Sequence, residues 1–108
     1  MNEPEVPVMT ATELRQFLDT GERILLLDVR EPFEWEISNL AQHGAKLMPM
    51  GEVPSRVDEL DRSDPVVVYC RTGARSGLVA RYLILNGFER VWNLEGGINA
   101  WVHSEEDP

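Results

Sequence analysis

The chain has 108 residues, 43% hydrophobic and 27% charged, which suits one soluble globular domain able to bury a core without disulfides or metals. A formal net charge of -9 argues against nucleic acid, whose binding rests on Lys and Arg neutralising phosphates, and against an anionic membrane surface. Much of the negative charge lies in the end segments MNEPEVP and SEEDP, where it is expected to solvate frayed termini around a core of about residues 8 to 102.

A short opening strand is expected at Val6 to Met9. TATELRQFLDTG follows, with Thr10 and Glu13 spaced as a capping box, Leu14, Phe17 and Leu18 at helical intervals, and Gly21 as a stop. The continuous apolar run from Ile24 to Val29 reads as a strand buried on both faces. EPFEWEIS opens with Pro32 near a helix start and predicts a short helix. AKLMPM is a third strand ended by Pro49, and GEVPSRVDELD a short helix with Val53, Val57 and Leu60 on one side. PVVVYC is the most obvious central strand, and SGLVARYLILNGF a helix stopped by Asn86-Gly87. RVWNL and GGINAWV complete the series as a last strand and a last short helix. Strands alternating with helices at this spacing imply an α/β fold, a parallel sheet covered on both faces.

No stretch approaches the roughly 18 apolar residues of a membrane-spanning helix. The first residues show no basic-then-apolar leader, and one Cys cannot form an internal disulfide, so a reducing, cytoplasmic setting is expected. Two scattered His and one Cys offer no metal-ligand spacing.

That one thiol, Cys70, sits at the carboxyl end of the most hydrophobic strand, where parallel α/β sheets place their ligands. Arg71, Thr72, Gly73, Ala74 and Arg75 then lead into a helix opening near Ser76. A loop entering a helix N-terminus aims unpaired N–H groups inward, and the helix dipole adds positive potential. Gly73 permits the tight backbone, while Arg71 and Arg75 add formal charge. This is a cradle for an anion, and the first anion is the thiolate. A free thiol of pKa about 8.5 is only about 3% ionised at pH 7, and lowering it by about two units takes about 2.7 kcal/mol. A buried, inert Cys ending a core strand is the competing reading, but it accounts for neither Arg-x-Gly-x-Arg-Ser nor the helix start.

Cys-Arg-Thr-Gly-Ala-Arg-Ser resembles the active loop of the rhodanese family of sulfurtransferases. Cysteine phosphatases carry a similar loop with one more residue before the Arg-Ser/Thr pair, giving room for several phosphoryl oxygens. They also usually have His before the Cys, where this chain has Tyr69. The resemblance continues in LLLDVREPFEWE, through Asp28, Val29, Arg30, Glu34 and Trp35, and in NLEGGINAW, through Gly96, Gly97 and Trp101. Segment 38–48 departs from it: SNLAQHGAKLM keeps Gly44-Ala45 but lacks the Pro of the family's His-Ile-Pro-Gly-Ala and is longer by two residues. His43 within it is expected to be a solvated loop residue, since a pre-ionised thiolate needs no base. Asp28 and Arg30 are expected to pair with each other, with Glu34 joining them or facing water. Aromatic packing is the favoured role for Trp35 and Trp101, and a turn that lets the last helix pack closely is favoured for Gly96-Gly97.

The resemblance implies a three-layer α/β/α sandwich around a five-stranded parallel sheet. It implies sulfur transfer through a Cys70 persulfide, from a small anionic donor such as thiosulfate to cyanide, a thiol or a sulfur-carrier protein, with no cofactor or metal. Similar domains occur fused to enzymes that activate thiocarboxylate sulfur carriers. The alternatives are a phosphatase or arsenate reductase using the same thiolate, which the shorter loop disfavours, and a non-catalytic partner-binding module, which the retained Cys70, Arg71 and Arg75 disfavour.

Overall fold

The computed structural model describes residues 5–104, so most of the acidic end segments expected to be solvated lie outside the described residues. Five strands form one parallel sheet in the order β1-β5-β4-β2-β3, with β1 at Val8–Met9, β2 at Leu25–Asp28, β3 at Lys46–Leu47, β4 at Val66–Tyr69 and β5 at Val91–Leu94. The two edge strands have two residues each, leaving little unpaired edge to template association. β4 is central, and all four of its residues are buried, as a strand covered on both faces requires.

Alternation along β4 divides the core. Val66, Val68 and Cys70 join a cluster with Val79, Leu83 and Phe88, whereas Val67 and Tyr69 join Leu14, Leu94, Ile98 and Trp101 on the other face. The first face is covered by α4 (Ala74–Leu85) and α3 (Val53–Arg56), the second by α1 (Ala11–Asp19) and α5 (Gly97–Ser104). This is the three-layer α/β/α arrangement.

The capping box of α1 forms as its sequence predicts, with the Thr10 side chain accepting from Glu13 N–H and the Glu13 carboxylate accepting from Thr10 N–H. The GEVPSRVDELD helix is broken instead into α3 between two 3₁₀ turns at residues 50–52 and 57–59. Pro54 sits in the first turn of α3, where its missing N–H costs nothing, and Val53, Val57 and Leu60 are still buried together. Helix α2 (Pro32–Ile37) buries none of its residues.

Strand register sets up the site. Asp28 lies opposite Tyr69, and Val29 N–H donates to the Tyr69 carbonyl at 3.1 Å. The loops leaving β2 and β4 therefore emerge side by side at the carboxyl edge of the sheet.

Candidate active site

Cys70 is only 1% exposed, and its sulfur is surrounded by donors from its own loop. Gly73 N–H reaches Sγ at 3.1 Å, Ser76 N–H at 3.4 Å and Ser76 Oγ at 3.3 Å. Gly73 is the N-cap of α4 and adopts φ +112°, a conformation that L side chains rarely take. The helix begins at Ala74, two residues earlier than its apolar pattern suggests, because pattern marks the buried face and the cap marks the start. Its dipole thus points its positive end at the sulfur. Burial pushes the Cys70 thiol up, but the Ser76 hydroxyl and the N–H groups of Ser76, Gly73 and Thr72 outweigh it and hold the thiol below its ordinary range.

The outer side of the loop is fastened by α5. Ile98 N–H donates to the Cys70 carbonyl at 2.9 Å and Asn99 N–H to the Arg71 carbonyl at 3.2 Å. With those carbonyls turned outward, the loop's own N–H groups are free to face the sulfur. Gly97 makes the approach possible: at φ +62°, a Cβ there would lie within 2.5 Å of the Cys70 carbonyl oxygen and would also strike that of Arg71. Of the glycine pair expected to form a turn for close packing, Gly97 packs against the loop after Cys70, whereas a Cβ on Gly96 would meet Ala100.

Asn93, on β5, was not singled out by the sequence reading. Its Nδ2 donates to the Gly73 carbonyl at 3.0 Å, which turns its Oδ1 toward Ser76 Oγ at 2.6 Å. Ser76 has one hydroxyl proton for two acceptors, Asn93 Oδ1 and Cys70 Sγ, and ionisation of the sulfur draws that proton toward it. The available signal was an amide in the middle of the otherwise apolar strand Val-Trp-Asn-Leu.

The arginines divide into compensated and uncompensated. Arg30 is buried and reaches Asp28 through Nη2 at 2.8 Å and through Nε at 3.0 Å, and its Nη2 also donates to the Ser38 carbonyl at 2.7 Å. Arg75 is joined to Glu34, Nη1 to Oε1 and Nη2 to Oε2 both at 3.2 Å, and Arg30 Nε lies 4.0 Å from the same carboxylate. Glu34 therefore bridges the two loops. Arg71 is exposed and makes no ion pair among the described residues. Thr72 and Ala74 are exposed on the loop.

Other flagged residues lie elsewhere. His43 stacks edge-on against Trp101 at 5.2 Å in a separate cleft with Arg15, Leu18 and Asp19. Trp101 is a core residue with the Arg15 guanidinium 3.7 Å from its ring centre, and Trp35 is half-buried on α2. Among the described residues, no group of three or more His, Cys, Asp or Glu is placed to hold a metal ion, and no helix is long and apolar enough to cross a membrane.

Residues 10–104 match the family described as rhodanese-like domain. The chain belongs to that family. A sulfurtransferase of Allochromatium vinosum is 43% identical over 89 residues, covering 82% of this chain and 81% of that protein. The thiosulfate sulfurtransferase GlpE of Glaesserella parasuis is 34% identical, with 94% of this chain and 88% of that one aligned. The putative sulfur carrier protein YrkF of Bacillus subtilis is 32% identical over 97% of this chain, which spans only 56% of YrkF. Among solved structures, a rhodanese-like domain protein from Staphylococcus aureus superposes with a TM-score of 0.82 at 30% identity, covering 89% of this chain and 91% of its own.

Proposed function

We propose that this rhodanese-like chain is a sulfurtransferase that carries sulfane sulfur on Cys70, with residues 71–76 as the anion-binding loop. The observation that carries the reading is the convergence of Gly73 N–H, Ser76 N–H and Ser76 Oγ–H on one sulfur atom, within 3.4 Å, at the start of a helix. A relative named for thiosulfate sulfur transfer at 34% identity supports it.

The Cys70 thiolate attacks the outer sulfur of thiosulfate. A bond forms between Sγ and that sulfur, the donor's S–S bond breaks, and sulfite leaves with the electron pair. The product is a persulfide anion, so negative charge moves one atom outward from Sγ. Loop N–H groups fixed in advance by α5 and Asn93 stabilise that charge without reorganising, as an oxyanion hole does. Arg71 supplies positive potential where the donor enters, while Arg75 is held by Glu34. A thiophilic acceptor (cyanide in an assay, a thiol or a sulfur-carrier protein in a cell) then attacks the outer sulfur and releases the thiolate. Two half-reactions through one cysteine give ping-pong kinetics. The chemistry draws on no metal or cofactor, and a free thiol of this kind suits the reducing cytoplasm.

Mass spectrometry of the intact protein tests the reading. Thiosulfate is expected to add about 32 Da, one sulfur, and cyanide to remove it, whereas Cys70→Ser shows neither change. Sulfur transfer at near wild-type rate by that variant would overturn it.

A further inference from the structure

The Asn93 side chain leaves β5 against the first turn of α4, and its amide has one possible orientation. The Gly73 carbonyl can only accept, so Nδ2 faces it at 3.0 Å and Oδ1 is left facing Ser76 Oγ at 2.6 Å. Gly77 makes the room, since a Cβ there would lie 3.2 Å from Nδ2. The Gly73 carbonyl also accepts from Gly77 N–H at 3.1 Å, so Asn93 is not its sole anchor. The amide oxygen therefore has a use beyond holding the loop.

That use lies in the Ser76 hydroxyl. Ser76 is fully buried, so its proton has to find an acceptor inside the protein. Two are in reach, the Asn93 amide oxygen and Cys70 Sγ, the latter at 3.3 Å. A thiolate outbids an amide oxygen, because it is charged. A sulfur bonded to a second sulfur does not, because it is a weak acceptor. The proton thus turns to Sγ when Cys70 is ionised, and back to Asn93 when Sγ carries a further sulfur and the charge has moved outward.

We propose that Asn93 is a positioning residue that sets the balance between loading and discharge of sulfur, by offering the Ser76 hydroxyl a second acceptor whenever Sγ is uncharged. This rests on the sulfur-transfer reading and goes beyond it by giving the two half-reactions separate control. In loading, Sγ bonds to the donor's outer sulfur, the donor's S–S bond breaks, and the Ser76 hydrogen bond passes from Sγ to Oδ1. In discharge, the acceptor bonds to the outer sulfur, the bond to Sγ breaks with its electron pair staying on Sγ, and the hydrogen bond returns. The serine keeps its proton throughout, and no oxidant or reductant is required. Without Oδ1 the proton would stay on Sγ in both states. The thiolate would then be more stable, hence a weaker nucleophile and a better leaving group.

The test compares wild type, Asn93→Leu, Ser76→Ala and the double variant. Two quantities are read: the pH midpoint of Cys70 alkylation, and the single-turnover rates of loading by thiosulfate and discharge by cyanide. The rates are taken about one pH unit above the highest midpoint, so that the thiol is ionised in every variant. Asn93→Leu, close in size but without the acceptor, is expected to lower the midpoint by about half a unit. It should raise the ratio of discharge to loading by about threefold. Ser76→Ala should move both quantities the other way. In the Ser76→Ala background Asn93→Leu should move neither, because no hydroxyl is left to compete for. The charged groups of the adjoining cleft, Arg30, Glu34, Arg71 and Arg75, are the same in all four proteins. A residue that only braced Gly73 would give another pattern: a looser cradle raises the midpoint and slows both half-reactions together. That pattern, or an Asn93→Leu effect that persists without the Ser76 hydroxyl, would overturn the proposal. Asn93→Ala removes the same acceptor without filling its space and is read in the same way if the Leu variant does not fold. Failure of wild type to take sulfur from thiosulfate, with the midpoints moving as stated, would defeat the sulfur-transfer reading and leave the competition for the Ser76 proton standing.

Discussion

The loops after β2 and β4 leave the same sheet edge side by side, and both carry arginine, yet their polar groups are organised in opposite ways. After β2, Asp28 accepts from the Arg30 side chain and from Arg30 N–H at 2.9 Å, and Arg30 in turn donates to Ser38. Donors and acceptors there satisfy each other, and both residues are buried. After β4 the backbone presents several donors to a single sulfur, more than a neutral thiol can use. A saturated network holds a fold together, whereas a surplus of fixed donors waits for charge. Glu34 ties the two together by pairing with Arg75 of the second loop while lying near Arg30 of the first.

Breaking each loop should give opposite signatures. Cys70→Ser is expected to lower sulfur transfer by at least about a thousandfold, since no other nucleophile replaces the thiolate. The same variant should unfold in urea within about 1 kcal/mol of wild type, because the change is one atom in a loop. Asp28→Ala should do the reverse, costing about 3 kcal/mol or more by taking from the buried Arg30 guanidinium the carboxylate it is hydrogen-bonded to. A thermally unaffected Asp28→Ala would mean that the β2 loop is not the structural member of the pair.

Gly97→Ala sharpens the comparison because it strikes the β4 loop without touching a side chain of the site. The added Cβ would meet the Cys70 and Arg71 carbonyl oxygens and would sit at φ +62°. A loss of about 2 kcal/mol, read by chemical denaturation, should accompany a rise in the alkylation midpoint of Cys70 as the loop shifts. If stability falls but the midpoint does not move, α5 supports the fold without orienting the cradle.

The smallest effect is a pH dependence of stability. Cys70 is held below its ordinary range in the folded state, so the unfolded chain binds more protons between the folded pKa and about 8.5. The stability of wild type relative to Cys70→Ser should therefore rise with pH through that window and level off above it. A flat difference across the window would indicate that the folded and unfolded thiols titrate alike.

Much of this was legible in the sequence because it depends on local pattern. The run of valines before Cys70, the Thr10–Glu13 capping box and Gly73 ahead of Arg-Ser each act within a few residues. Asp28 with Arg30 was legible for the same reason, since the pair is two residues apart. Asn93 was not, because its partners Gly73 and Ser76 stand 20 and 17 residues away and meet it only when β5 pairs with β4. The joining of Arg75 to Glu34 spans 41 residues and likewise depends on the sheet bringing two loops together. One short helix over residues 51–61 follows from Val53, Val57 and Leu60 on one side, yet the segment is a short helix between two 3₁₀ turns, which present the same face.

The central claim is that the loop after β4 stabilises negative charge on Cys70. Its most direct test is the pH–rate profile of Cys70 alkylation by iodoacetamide, in wild type and in Ser76→Ala. A wild-type midpoint below about 8.5 is predicted, moving upward when the Ser76 hydroxyl is removed. A midpoint at or above about 8.5, unchanged by Ser76→Ala, would contradict it.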